Sequence, residues 1–120
     1  MPAKQSTNQN TPASLYNGMI APILGYTIRG AVWYQGESDA NPEAALKYTE
    51  RMMELVAAVR RDTGLLRMPW VVVQLGRHAS TEHPAAWNSI QEQQRRLPEA
   101  IRHLKVAPAV DLELDDGIHI

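Results

Sequence analysis

A chain of 120 residues with 44% hydrophobic and 21% charged residues is long enough for one domain with a modest core. Its net charge of -1 offers no basis for binding nucleic acid or an acidic membrane, and the absence of cysteine excludes disulfides and thiolate metal sites. No apolar run approaches the roughly 20 residues of a membrane span. The polar N-terminus does not contain the continuous apolar segment of a signal peptide.

The N-terminal third of the chain changes from polar to apolar. Residues 1–12 have no apolar periodicity and predict a disordered segment or linker before a domain at 13–120. Apolar residues at helical spacing predict one or two short helical turns within 14–24. The run AVWYQ at 31–35 lacks polar alternation, so it predicts a strand that is buried on both faces.

The longest predicted element is a helix over about 42–63. Asn41 is a favourable N-cap residue, and Pro42 suits the first helical position. Apolar residues then recur at helical spacing, with charged residues on the other faces. Gly64 follows as a plausible C-cap.

The second half of the chain predicts a strand, a helix and another strand. The valine-rich run at 69–75 is typical of a strand buried on both faces of a parallel sheet. Helical periodicity covers 84–97 and is expected to end at Pro98. A third strand is predicted at 105–111, and Pro108 within it indicates an edge position.

The resulting order, β-α-β-α-β, predicts an α/β fold with about three parallel strands joined by right-handed crossovers. Ligands bind at the carboxyl ends of parallel strands in such folds. The strand at 31–35 is followed there by Gly36, two acids and the hydroxyl of Ser38, and then by the start of the long helix. The sequence therefore predicts a binding site in this turn.

Four separated motifs carry a family resemblance: LYNGMIAP at 15–22, GAVWYQGESDA at 30–40, VQL at 73–75 and DGIH at 116–119. In this order they resemble the sialate O-acetylesterase-like carbohydrate esterases, a branch of the SGNH-hydrolase superfamily. The resemblance implies part of a three-layer αβα fold of flavodoxin-like type. It also implies a serine-hydrolase mechanism that removes O-acetyl groups from a carbohydrate of sialic acid or xylan type, with no metal or organic cofactor.

The resemblance assigns the base of this mechanism to the C-terminal DGIH motif. His119 would take the proton of a serine, and Asp116 would fix its tautomer and stabilise the imidazolium. The family's nucleophilic serine lies in a GQSN-type motif on an earlier strand, which is not found in this sequence. Either Ser38 substitutes for it, or the nucleophile comes from sequence outside this chain.

The resemblance also places the turn after 31–35 at the oxyanion site. Gln35 is the first choice as donor, with Gly36 and Glu37 lining the site. Alternatives remain open for several residues: Glu37 could instead hold the turn by hydrogen bonds to backbone amides, and Ser38 could cap the following helix. Asn17 lines the site or simply shapes an Asn-Gly turn.

Two functional hypotheses follow. The first is an esterase, and the second is a catalytically inactive esterase fragment that serves as an interaction or structural module. In the resembled fold the strand at 31–35 lies beside the strand that carries the nucleophile. Without that neighbour its edge is unpaired, which predicts self-association. Trp33 is predicted to be a core residue, and Trp87 to be partly buried against the same sheet.

Overall fold

The computed structural model describes Asn8 and residues 11–78 and 81–114. Three strands form one parallel sheet in the order β1-β2-β3. The strands are β1 (Ala31–Trp33), β2 (Trp70–Val73) and β3 (Leu104–Ala107). The predicted α/β class, with three parallel strands in β-α-β-α-β order, is confirmed.

The strands are shorter than the sequence predicts, and the ladder between β2 and β3 ends at Pro108. Its last contact is the hydrogen bond that the Gln74 N–H donates to the Ala107 carbonyl at 2.9 Å. Proline has no N–H with which to continue a parallel ladder. Within the sheet that the described residues form, the predicted edge position of β3 is confirmed.

The two long helices are α1 (Tyr48–Thr63) and α2 (Pro84–Ala100). A 3-10 turn at Ala44–Lys47 precedes α1. It is capped by Asn41, whose Oδ1 accepts a hydrogen bond from the Ala44 N–H at 2.9 Å. Gly64 ends α1 with a left-handed φ of 70°, as predicted.

Helix α2 continues through Pro98 to Ala100, so the predicted end at Pro98 is wrong. A proline in the last turn removes one helical hydrogen bond. The helix nevertheless continues because Leu97 and Ile101 on either side are buried in the core, and because the Ile101 N–H still bonds to the Leu97 carbonyl at 2.8 Å.

Both helices cover the same face of the sheet. The residues on that face are buried or partly buried: Ala31, Trp33, Trp70, Val72, Leu104 and Val106. On the opposite face Val32 is 73% exposed and Val71 is 38% exposed. The strands follow one another across the sheet in the order β1-β2-β3. Crossovers of the same handedness therefore place both helices on the same face of the sheet.

The expectation that β1 and β2 are buried on both faces is therefore wrong for these strands. The described residues provide two layers of the αβα architecture: the sheet and the helices on one face. Trp33 is a partly buried residue packed against the core, and Trp87 is more buried than predicted.

The segment before β1 forms short turns, as predicted. A π-helical turn spans Tyr16–Ile20 and a 3-10 turn spans Ala21–Ile23. Most of their apolar side chains are exposed. The Tyr16 hydroxyl donates a hydrogen bond to Asp62 Oδ2 at 2.9 Å, which ties this segment to the C-terminal end of α1. Of the segment 1–12 that the sequence predicts to be disordered or a linker, residues 1–7 and 9–10 lie outside the described residues.

A buried glutamine joins the ends of β1 and β2 to both helices. Gln94 is 0% exposed, and its Nε2 donates hydrogen bonds to the Gln35 carbonyl at 3.2 Å and to Tyr48 Oη at 3.0 Å. Its Oε1 accepts the Leu75 N–H at 2.8 Å. Both amide protons and the amide oxygen are therefore paired, which makes this polar group tolerable in the core.

Replacement of Gln94 by leucine tests this network. Gln94→Leu keeps a similar volume but leaves the buried Leu75 N–H without its acceptor. We expect a loss of roughly 1–3 kcal/mol in the free energy of unfolding, the usual cost of an unpaired buried group. Chemical denaturation measures it, with Asn88→Ala on the exposed face of α2 as control. Equal stabilities for the two variants would contradict a structural role for the network.

Candidate functional site

The turn that follows β1, residues 35–39, lies at the carboxyl edge of the sheet. The carbonyl group of Gln35 holds it in place. The Gln35 carbonyl accepts hydrogen bonds from Trp33 Nε1 at 3.1 Å, Tyr48 Oη at 3.1 Å and Gln94 Nε2 at 3.2 Å. Burial raises the pKa of Tyr48, which keeps its hydroxyl protonated as a donor. The peptide between Gln35 and Gly36 is therefore fixed from three directions.

Gly36 packs so closely that even a Cβ at this position would be in tight contact with three side chains. A Cβ there would lie 3.1 Å from Gln94 Nε2, 3.1 Å from Ile90 Cγ2 and 3.2 Å from Leu75 Cδ1. All three atoms belong to buried residues, which have little room to move. Because glycine has no side chain, the backbone of the turn packs directly against α2 and against Leu75 after β2.

Glu37 holds the turn from the solvent side. Its Oε2 accepts the Gly36 N–H at 2.8 Å, the backbone contact that was one of the two interpretations of this residue. The Gly36 amide is therefore occupied. Within the described ranges the Gln35 side-chain amide makes no hydrogen bond, so it is one group of this turn that could donate to a developing oxyanion.

Ser38 and Asp39 complete a 3-10 turn at Glu37–Asp39. Asp39 Oδ1 lies 2.6 Å from Arg51 Nη1, an ion pair that links the turn to α1. Ser38 is exposed, and its carbonyl accepts Asn41 Nδ2 at 3.3 Å. Among the described residues its hydroxyl makes no hydrogen bond. Capping of the following turn therefore falls to Asn41, and not to Ser38.

The loop after β2 begins at the same edge and is also fixed by glutamines. Gln74 Nε2 donates to the Gln91 carbonyl at 2.9 Å, and Gln91 Nε2 donates to the Gly76 carbonyl at 2.7 Å. Trp87 Nε1 donates to the same Gly76 carbonyl at 3.0 Å. The His78 ring packs edge-on against Trp87, with ring centroids 4.7 Å apart.

An open depression of about 490 Å³ lies beyond this loop, lined by Arg77, His78, Glu113 and Leu114. Arg77 Nη2 donates to the Leu112 carbonyl at 3.4 Å, which connects the loops that follow β2 and β3. The chain leads from this depression into residues 115–120. Asp116 and His119 belong to that stretch and lie outside the described residues.

The structure does not bring Asn17 to the turn after β1. Asn17 is exposed and follows Tyr16, which contacts Asp62 near the last residue of α1. Gln35 contacts Tyr48, the first residue of α1. At about 1.5 Å per residue, these two contacts lie roughly 20 Å apart along the helix.

The residues that position the turn, Gln94 and Tyr48, were not predicted from the sequence as site residues. A signal existed: Gln94 follows Trp87 and Ile90 and precedes Leu97 on the apolar face of α2. A polar residue on such a face must find hydrogen-bond partners when it is buried.

No group of side chains suited to a metal ion occurs within the described ranges. In the same part of the chain, no helix has the length and apolar character needed to cross a membrane.

A family model described as carbohydrate esterase, sialic acid-specific acetylesterase, matches residues 4–120. The chain is similar to sialate O-acetylesterase from Mus musculus, with 39% identity over 56 residues that make up 47% of this chain and 10% of the mouse protein. The enzyme of the same name from Homo sapiens is 42% identical over 41 residues, which are 34% of this chain and 8% of the human protein.

Two solved structures resemble the fold. XAC1771, a carbohydrate acetylesterase from Xanthomonas citri, matches with a TM-score of 0.78 and 29% identity over 88% of this chain and 25% of its own. A protein from Arabidopsis thaliana matches with a TM-score of 0.65 and 28% identity over 80% of this chain and 38% of its own. The chain thus spans about a quarter of the bacterial acetylesterase. The family model, these matches and the parallel sheet show that the chain belongs to the carbohydrate esterase family of sialic acid-specific acetylesterases and has its SGNH-like α/β fold.

Proposed function

We propose that this chain carries part of the active site of a carbohydrate O-acetylesterase. The observation that supports this most is the turn at residues 35–39, fixed at the carboxyl edge of the sheet with the Gln35 side-chain amide left unpaired among the described residues. A donor carried on a fixed backbone at that edge is suited to ester hydrolysis. Family membership provides the reaction class.

In the proposed mechanism a serine Oγ attacks the carbonyl carbon of the acetyl ester, and His119 takes the hydroxyl proton. Asp116 holds the His119 tautomer and stabilises the imidazolium. The Gln35 amide donates to the oxyanion of the tetrahedral intermediate. Collapse expels the sugar oxygen, which receives the proton from His119. Water then hydrolyses the acetyl-serine and releases acetate, and no metal ion is needed in these steps.

The nucleophile is either Ser38 or a serine from another segment of a longer protein. Ser38 is exposed at the turn, directly after Glu37 and three residues after Gln35 in sequence. The substrate would be an acetylated sugar of sialic acid or xylan type. Glu37 and Gly36 serve the site by holding the turn in place.

The open face of the sheet favours a second candidate function, a catalytically inactive module that binds another polypeptide. Val32 on β1 is 73% exposed, and β1 pairs within the described sheet only with β2. An unpaired, apolar strand edge is a template for pairing with another chain. In this second proposal β1 associates with a second copy or with a complementary segment of the esterase fold.

Removal of the proposed base should abolish most activity. His119→Ala is expected to lower the hydrolysis of p-nitrophenyl acetate by about 10²- to 10⁴-fold, the usual contribution of a general base. His103→Ala is the matched control, because His103 lies at the opposite end of α2 from the loop after β2. Equal rates for His119→Ala and the parent chain would remove His119 from the mechanism. A parent chain without serine-dependent turnover would favour the inactive module.

Substitution of Gln35 separates its side chain from its backbone. Among the described residues, the hydrogen bonds of Gln35 are accepted by its carbonyl, which Gln35→Ala retains. The variant is therefore expected to keep its melting temperature while its kcat falls by about 10²- to 10³-fold, as for other oxyanion donors. Steady-state kinetics beside thermal denaturation measures both. Ser38→Ala is assayed in parallel, and unchanged kcat in Gln35→Ala would contradict the assignment of the donor.

The second candidate predicts self-association of the isolated chain. Light scattering over a dilution series should show a mass above 13.4 kDa that falls on dilution. Val32→Lys places a charge on the open face beside the β1 edge and is expected to shift the equilibrium toward monomer. Leu46→Lys, on an exposed residue outside the sheet, is the control. A constant monomer mass with cooperative unfolding at every concentration would contradict the proposal.

A further inference from the structure

The amino edge of the sheet carries arginines that have no carboxylate partner among the described residues. Elsewhere in the same ranges, the arginines with a carboxylate oxygen within 3.2 Å are Arg51, Arg61, Arg95 and Arg96. Arg60, Arg67 and Arg102 form no such pair within these ranges. Together with Leu66 and His103 they line an open depression of about 710 Å³.

Arg60 lines this depression and connects the two loops beside it. Its Nε and Nη2 donate to the Met68 carbonyl at 3.1 and 2.9 Å, and Nη2 also donates to the Arg102 carbonyl at 2.8 Å. The guanidinium thus ties the loop before β2 to the loop between α2 and β3. Arg67 and Arg102 lie on these two loops with exposed side chains, so both can reach a bound ligand.

His103 contributes a further donor between the arginines. Its Nε2 accepts a hydrogen bond from Arg67 Nε at 3.4 Å, so a neutral imidazole carries its proton on Nδ1. His103 also has a left-handed φ of 58°, a conformation that is uncommon for a residue other than glycine. Such backbone outliers are concentrated at ligand-binding positions.

A buried donor without an acceptor lies next to this depression. Trp70 is 4% exposed, and its Nε1 is the buried side-chain nitrogen or oxygen that has no hydrogen-bond partner within the described part of the chain. Trp70 lines an adjoining depression of about 480 Å³ that shares Arg102 and His103 with the first. Buried polar groups normally have a partner, so this donor is an exception within the described part of the chain.

The charge at this edge favours an anionic ligand. Three guanidinium groups supply three positive charges. The C-terminal ends of α1 at Thr63 and α2 at Ala100 adjoin the same loops, and each helix end offsets about half a charge. About two positive charges therefore remain, and the guanidinium groups offer only donors to a ligand.

We propose that Arg67, Arg102 and His103, positioned by Arg60, bind a divalent tetrahedral oxyanion: phosphate or sulfate, free or as the ester of a small molecule. Arginine matches the geometry of such anions because its planar guanidinium can donate two parallel hydrogen bonds. The site lies at the opposite edge of the sheet from the turn after β1, and it does not depend on the esterase proposal.

Isothermal titration of the full chain with inorganic phosphate tests the site, with sodium chloride at matched ionic strength as the blank. Saturable binding of one phosphate per chain is expected. Arg67→Gln and Arg102→Gln should each weaken binding by roughly tenfold, the effect of losing a charge-assisted hydrogen bond. Arg95→Gln is the matched control, since Arg95 is an exposed arginine already paired with Glu92 at 2.7 Å. Its affinity for phosphate should equal that of the parent.

A second ligand and a variant of His103 complete the test. Glucose 6-phosphate that binds more tightly than inorganic phosphate would assign a phosphate ester, and equal affinity would assign the free anion. His103→Asn keeps a residue that tolerates the left-handed conformation but removes the imidazole donor, so weaker binding with an unchanged melting temperature supports the site. Binding no stronger than the chloride blank, or an equal loss in Arg95→Gln and Arg67→Gln, would overturn the proposal.

Discussion

The structure depends on the hydrogen bonds that converge on the carbonyl of Gln35. Trp33, Tyr48 and Gln94 donate to it from the strand and from both helices, at 3.1 to 3.2 Å. Because two of these donors lie in the core, the end of β1 cannot shift without leaving buried polar groups unpaired. The fold therefore fixes the turn through its backbone, and the side chain of Gln35 makes no hydrogen bond within the described part of the chain.

This arrangement explains why a small chain can preserve a well-defined turn although one face of its sheet is open. The core lies entirely between the sheet and the two helices, and the buried glutamines belong to that layer. The exposed Val32 and Val71 lie on the other face and do not contribute to it. Packing of another layer onto that face would bury apolar surface without altering the contacts of the turn.

The two edges of the sheet differ in chemistry. The carboxyl edge carries the Gln35 amide and the Glu37 carboxylate, and it is where we propose ester hydrolysis. The amino edge carries Arg67 and Arg102 without carboxylate partners in the described chain, which suits an anion. They are separated by the length of α1, so the proposed activities can be measured and mutated independently.

The sequence by itself determined the class of the fold, the order of its elements and the position of the turn after β1, because these depend on apolar periodicity and on local capping residues such as Asn41 and Gly64. It could not determine how many faces of the sheet are covered, since valine-rich strands have the same composition in a complete and in a partial sandwich. It also gave the wrong end for α2, because burial of Leu97 outweighs the local effect of Pro98. Only the tertiary structure decided that Gln94 holds the turn, since a buried amide gains its role from partners that are distant in sequence and adjacent in space.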